Sequence, residues 1–279
     1  MSVMVTPLTP HVGAEITGVS SDEMTDRRVA GACLRALEQY GVVVYRELYI
    51  NDEDLIAFSR LLGEVAVVPT GEHQYPEIQT ITLDPTKTNA LLASYRQGNF
   101  QWHIDGATQD VPQKATLLTA HEVDDAGGDT EFASTYAAYA ALPDGDKTEL
   151  ETLRVVHSFA AAQALANSDA SEEERAFWDQ VPARVHPLVW THRNGRQSLL
   201  LGATAAEVVG WPVEKGRALL DRLLEWSTRP EFVLRHHWRR GDLVVWDNTG
   251  MLHRALPFEP TSLRLMHRTT LVGEEAASS

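Results

Sequence analysis

The chain has 279 residues, 43% of them hydrophobic and including seven Trp, seven Tyr and seven Phe, so it carries material for a sizeable core and is no disordered segment. Its net charge is −15, with acidic residues gathered at Glu122 to Asp129, Asp144 to Glu151 and Asp169 to Glu174; nucleic acid, which demands a basic footprint, is excluded as a partner. Cys33 is the only cysteine, which excludes an intrachain disulfide and a thiolate metal cluster and fits a reducing compartment.

Residues Met1 to Thr17 hold Pro, His and Glu in place of a basic segment followed by an apolar one. No run approaches the roughly 18 apolar residues of a membrane span, so a cytoplasmic protein without membrane contact is expected. No repeat, low-complexity segment or linker rich in Pro, Gly or Ser divides the chain, and residues 1–279 are read as one domain.

In chain order, Ser20 and Glu23 stand at capping-box spacing before apolar Val29, Ala32, Cys33, Ala36 and Leu37, and Gly41 sits where a C-terminal cap belongs. This predicts a helix over about residues 21 to 40. The β-branched and aromatic run Val42 to Tyr45 predicts a buried strand, and Asn51 caps a second helix ending near Gly63. Further strands are predicted at Ile78 to Leu83, Ala115 to His121, Thr130 to Ala133, Leu188 to His192, Ser198 to Leu201, Phe232 to Trp238, Leu243 to Trp246 and Leu263 to Leu271. Asn194 and Gly195 mark a hairpin between two of these runs, and Pro212 opens a third helix over about Val213 to Ser227. The expected fold is α+β but mainly β, a jelly roll with helical insertions. No Gly-rich phosphate loop follows a strand.

The segment Trp102-His103-Ile104-Asp105 sets an imidazole and a carboxylate two residues apart, on one face if the segment is a strand. An HxD pair alone arises often by chance. His253, which follows the turn and apolar strand Gly241 to Asn248, is the candidate for a second imidazole. Two histidines and one carboxylate form the facial triad that leaves metal positions open and is associated with Fe(II) oxygenases.

The chain resembles the family of taurine dioxygenase and the 2,4-dichlorophenoxyacetate-type dioxygenases. The resemblance runs from Gly41-Val42-Val43-Val44 through Trp102-His103-Ile104-Asp105, Gly127-Gly128-Asp129-Thr130, Gly241-Asp242 with Trp246-Asp247-Asn248, and His253-Arg254 to Arg264 through Arg268. It implies a distorted double-stranded β-helix with helices. It implies Fe(II) held by His103, Asp105 and His253, with 2-oxoglutarate and O2 as co-substrates. Arg264, eleven residues after His253, matches the arginine for the distal carboxylate of 2-oxoglutarate, and Thr130 matches the threonine that hydrogen-bonds it. A guanidinium suits such a dianion, because it can hold a carboxylate by two parallel charge-assisted bonds.

Arg268 matches the arginine for the anionic group of the primary substrate. Alternation puts it on the same strand face as Arg264, about 13 Å along. Asn99 matches an asparagine near the taurine site, whereas Val68 and Gly71 stand where that site has His and Tyr, so a larger or more apolar acid than taurine is implied. His73 and Tyr95 come from the same region and offer polar groups. The resulting expectation is a hydroxylase of a small carboxylate or sulfonate, releasing succinate and CO2, assembled as a homodimer or homotetramer. Asp105 argues against halogenation, since related halogenases lack that carboxylate. Two alternatives remain open: a zinc hydrolase using the same triad, and a non-catalytic jelly roll that binds a small acid. Metal content and succinate formation separate them.

Overall fold

Local signals decide the first helices. In a computed structural model describing residues 2–67, 73–84, 86–88, 97–124, 127–259 and 262–278, helix α1 covers Arg27–Tyr40. The Asp26 side chain caps it by accepting the Arg28 N–H at 2.7 Å, and Gly41, at φ 71°, ends it by returning its N–H to the Leu37 carbonyl. The helix therefore starts later than expected. Ser20 and Glu23 do pair reciprocally, but they cap a separate 3-10 turn over Ser21–Glu23, after which Met24 is fully buried. Helix α2, Asp52–Leu62, begins as expected with the Asn51 side chain accepting the Asp54 N–H.

Strands β1 (Met4–Pro7), β2 (Ala14–Thr17), β3 (Val42–Tyr45), β4 (Gln79–Ile81) and β5 (Ala115–Glu122) come first, followed by β6 (Thr130–Ser134) and helices α3 (Thr135–Ala140) and α4 (Asp144–Leu150). Next come β7 (Arg154–His157), α5 (Phe159–Ala166), α6 (Glu172–Trp178), β8 (Arg184–Pro187), β9 (Val189–Thr191), β10 (Gln197–Leu199), β11 (Ala205–Val208) and α7 (Val213–Ser227). The chain closes with β12 (Val233–His236), β13 (Leu243–Asp247), β14 (Met251–Ala255) and β15 (Leu265–Leu271).

One sheet has the order β1-β2-β3-β13-β5-β15-β4 and faces a smaller one, β12-β6-β14. Alternation sorts the side chains of the large sheet. Val43, Tyr45, Leu117, Leu243, Val245 and Leu271 pack against α1 and α2, while Val42, Val44, Leu118, Val244, Trp246 and Met266 pack inward with Phe132 and Met251 of the small sheet. Strand β3 is apolar throughout because both of its faces are covered. A third cluster, around Leu188, Trp190, Leu199 and Leu223, joins α7 and the inserted strands to the segment carrying Trp102 and Ile104. The architecture is the expected mainly-β jelly roll with helical insertions.

One open reading is settled and one strand expectation needs correction. The segment at His103 is no strand: His103 makes an isolated antiparallel bridge to His253 and turns follow it. Arg264 precedes its strand, since β15 starts at Leu265 beside a register shift against β5, with Leu263 64% exposed.

Candidate metal centre

The bridge sets the centre. The His103 N–H donates to the His253 carbonyl at 3.0 Å, and the His253 N–H donates to the His103 carbonyl at 2.9 Å. This short antiparallel pairing brings the two rings to a centroid separation of 4.2 Å. His253 is on β14 and paired with Phe132 of β6, so the small sheet holds one ligand and the bridge holds the other to it.

Nδ1 of His103 lies 2.7 Å from the Gln101 carbonyl. A carbonyl only accepts, so this Nδ1 carries the proton and Nε2 keeps its lone pair. Nδ1 of His253 faces the Met251 carbonyl in the same sense, at 3.5 Å. The two Nε2 atoms point at opposite oxygens of Asp105, 3.8 Å from His103 to Oδ1 and 3.4 Å from His253 to Oδ2. The three donor atoms lie within 4.8 Å of one another. Burial, and then the positive charge of a protonated His253, push His103 down to about 4, so it is a neutral base at neutral pH. Two imidazoles and one carboxylate, the outer nitrogens of the rings turned to carbonyls, fit a divalent transition metal with open positions.

Burial alone would raise the Asp105 carboxyl, but Arg268 and then His253 outweigh it and hold the group far below the usual carboxylate range. Arg268 donates to Oδ2 at 2.6 Å and Thr116 donates to the same atom at 3.2 Å. Buried Asn248 in turn donates to the Thr116 hydroxyl at 2.9 Å. Trp246 packs on the His253 ring, with centroids 4.9 Å apart.

Beside the three donors is a small cavity of about 60 Å³ lined by Asn99, Thr130, Trp246, Arg264 and Arg268, with Ile81 and Leu118 as apolar walls. Arg264 is 5% exposed, and its guanidinium lies 5.1 Å from the Phe258 ring. Among the described residues no carboxylate lies within 4.0 Å of it. Desolvation pushes its pKa down to about 10, partly countered by Asp124, so the group stays cationic. The Gly-Gly turn explains how so long a side chain fits. At Gly128, φ 72°, a Cβ would approach Arg264 Cδ and Nε to 3.3 Å.

Thr130, at the start of β6, is buried, and its hydroxyl accepts the Trp238 indole N–H at 2.9 Å. Asn99, in a 3-10 turn over Gln97–Phe100, reaches the cavity. Arg268 reaches it too, although its guanidinium is engaged by Asp105 and, through Nε, by Thr270 at 3.2 Å. Val68, Gly71 and Tyr95 lie outside the described residues. His73 is a correction: it lies 3.2 Å from Asp52 and beside His267, away from this cavity.

Three supporting residues escaped the sequence reading. Thr116 and Asn248 act through Asp105 and look like ordinary strand and turn residues in the sequence. Gly202, at φ 105°, lets the chain pass against the ligand segment, where a Cβ would lie 2.8 Å from the Trp102 carbonyl oxygen and 2.9 Å from His103 Cα. Only its position after the run Leu199 to Leu201 hinted at a close approach.

The family described as taurine catabolism dioxygenase TauD, TfdA matches residues 4–270. The alpha-ketoglutarate-dependent 2,4-dichlorophenoxyacetate dioxygenase of Cupriavidus pinatubonensis is 35% identical over 98% of this chain and 99% of its own length. The (S)-phenoxypropionate/alpha-ketoglutarate-dioxygenase of Sphingobium herbicidovorans is 30% identical over 99% of this chain and 96% of its own. Among solved structures, the complex of AAD-2 with Mn(II) and N-oxalylglycine superposes with a TM-score of 0.85 at 30% identity, covering 100% of both chains.

Proposed function

The chain belongs to the taurine catabolism dioxygenase TauD, TfdA family, and on that premise we propose that His103, Asp105 and His253 hold Fe(II) for the oxidation of a small organic anion. It is a 2-oxoglutarate-dependent non-haem iron dioxygenase, whose cofactors are Fe(II), 2-oxoglutarate and O2. When bound, these supply the oxidising power to hydroxylate a C–H bond, with release of succinate and CO2. What the chain contributes is positioning.

One observation carries the assignment of the ligands: two Nε2 lone pairs and the Asp105 carboxylate converge within 4.8 Å, with both outer nitrogens turned to carbonyls. Arg264 and Thr130 take the far carboxylate of 2-oxoglutarate. The reading is supported by a cationic guanidinium in a dry site with no described carboxylate beside it, where a charge-assisted pair is strong. Arg268 and Asn99 face the primary substrate, and the resemblance alone adds Val68, which lies outside the described residues. With a divalent cation held by His103, Asp105 and His253, the charge of Asp105 would be neutralised, and Arg268, now paired with it, would be left to a substrate carboxylate or sulfonate. The relatives named for 2,4-dichlorophenoxyacetate and phenoxypropionate support an aryloxyalkanoate-like acid, and the apolar walls Ile81, Leu118 and Trp246 suit its ring. A zinc hydrolase would leave the Arg264 and Thr130 pair without work, and a passive acid-binding module would bind the acid without consuming oxygen.

The same reading takes residues 1–279 as one domain in a dimeric or tetrameric cytoplasmic enzyme. Sedimentation velocity tests the assembly, with a species at twice or four times the 30.9 kDa chain mass expected. No helix among the described residues is long and apolar enough to cross a membrane.

The decisive experiment is succinate release from Fe(II), 2-oxoglutarate and a panel of aryloxyalkanoates, sulfonates and sulfate esters. Turnover of an anion is expected, with Arg268→Ala raising its KM. Equal turnover of neutral ethers would reject the anionic substrate, and an unchanged KM in Arg268→Ala would reject the role of Arg268.

A further inference from the structure

A second group of metal-binding side chains lies across the same sheet. Along β5 and β15 the inward positions include Leu118, Ala120 and Met266, and Arg268 reaches the iron cavity from that side. Alternation sends His121 and His267 to the opposite face, where α2 packs. Thr119 is directly across from His267, so His121, two residues on, is its diagonal neighbour on one face. The register shift at Leu265/Met266 leaves His121 without a partner of its own across the pair. The two rings come to a centroid separation of 4.0 Å. Helix α2 supplies Asp52 from its first position.

We propose that Asp52, His121 and His267 form a second binding site for a divalent transition metal of the Zn(II) class. Their donor atoms lie within 4.8 Å of one another, with Asp52 Oδ1 2.7 Å from His267 Nδ1 and 3.8 Å from His121 Nε2. Nε2 of His121 is buried and has no hydrogen-bond partner, an orphaned lone pair or N–H that a cation would satisfy. His73 fixes the carboxylate from behind. Its Nδ1 accepts the Tyr75 N–H at 3.1 Å, so Nε2 carries the proton and donates to Asp52 Oδ2 at 3.2 Å, while Oδ1 accepts the Nδ1–H of His267 at 2.7 Å, a proton that a metal on these two atoms would displace. Two imidazoles with one carboxylate favour Zn(II), Co(II) or Ni(II) over the oxygen-seeking Mg(II) and Ca(II).

Three imidazoles around one carboxylate cannot all be protonated without repulsion, and burial with the neighbouring His267 already holds His121 below the usual imidazole range. A cavity of about 120 Å³ lies beside His121, lined also by Ile50 and Thr119. Arg240, which also lines it, is engaged by Glu122 at 3.5 Å and by the His121 carbonyl at 3.0 Å.

The test removes the iron centre and counts what remains. Calorimetric titration of the metal-free wild-type chain with Zn(II) is expected to show two equivalents, and the His103→Ala/Asp105→Ala variant one. In that background Asp52→Asn, which keeps shape and loses charge, is expected to weaken the remaining equivalent at least tenfold, and His121→Ala to abolish it. Near-UV circular dichroism checks the fold of each variant, and if His121→Ala fails to fold, Asp52→Asn alone decides. No Zn(II) bound to the iron-centre variant, or binding untouched by Asp52→Asn, would overturn the proposal. Neither result depends on turnover, so the dioxygenase reading stands or falls separately.

Discussion

The two faces of the large sheet carry the same donor types, two histidines and one aspartate, in different settings. At the iron centre the side chains of His103, Asp105 and His253 are 16%, 13% and 7% exposed, and the histidines are fixed to each other through the main chain. Across the sheet Asp52, His121 and His267 are 21%, 30% and 11% exposed, and only side chains and strand register hold them. Adjoining the first trio is a cavity with Arg264, Thr130 and Arg268; beside the second is the cavity lined by Ile50 and Thr119. The donor set alone does not make an oxygenase. What distinguishes the inner trio is a buried arginine with no described carboxylate beside it and a walled space next to the donor atoms.

The largest effect expected from breaking this contrast is Asp105→Ala. Loss of a ligand should reduce succinate formation by more than about 10³-fold, beyond the ~10- to 100-fold typical of outer-shell changes, while Asp52→Asn should leave the rate within about twofold. Next is Arg264→Ala. Removing a buried partner of a carboxylate costs about 2–4 kcal/mol, so the 2-oxoglutarate concentration for half-maximal rate should rise roughly 30- to 10³-fold; an unchanged requirement would separate Arg264 from the co-substrate. Thr116→Val, which removes the hydroxyl bonded to Asp105, Asn248 and Arg268, should weaken Fe(II) binding about tenfold in a metal titration, with the far trio unaffected.

Gly202→Ala comes next, with a Cβ forced against Trp102 and His103 at positive φ. It should cost about 1–3 kcal/mol and lower Tm by roughly 2–10 °C. A pH series sharpens the contrast with histidines that lack a carboxylate. Burial, and next the positive charge of a protonated His186, push His157 down to about 3, and burial followed by Arg196 pushes His192 down to about 4. Below pH about 6.5 the unfolded chain takes up protons that the folded one refuses. Stability is thus fully present above that pH and falls as pH drops toward 4, by at most about 1.4 kcal/mol per unit for each group. Denaturant melts of metal-free protein at pH 7, 6 and 5 check this, and a flat midpoint would contradict it.

Much of this was legible in the sequence because its causes are local. Asp26 excepted, caps and glycines bounded α1, α2 and α7 as expected, and the doubly covered run Val42 to Tyr45 read as a buried strand. His103, Asp105, His253 and Arg264 were legible through motif order and spacing. Strands such as Ala205–Val208 and Arg154–His157 were not, since β11 and β8 flank β7 and exist through that pairing. Whether the segment at His103 was a strand stayed open in the sequence, because an HxD spacing does not specify the backbone that carries it; the structure makes it an isolated bridge. Asp52, His121 and His267 could not be associated at all: 69 and 146 residues separate them (121 − 52 and 267 − 121), and only a register shift between two strands makes them neighbours.

The backbone bridge between His103 and His253 also sets a timetable. Its halves are 150 residues apart (253 − 103), so a nascent polypeptide leaving the ribosome owns its first imidazole and its carboxylate long before the second imidazole has been translated. On the proposed assignment of ligands, secure iron loading would be a closing event of biogenesis, and fragments cut off before β14 would emerge without the means to retain the ion.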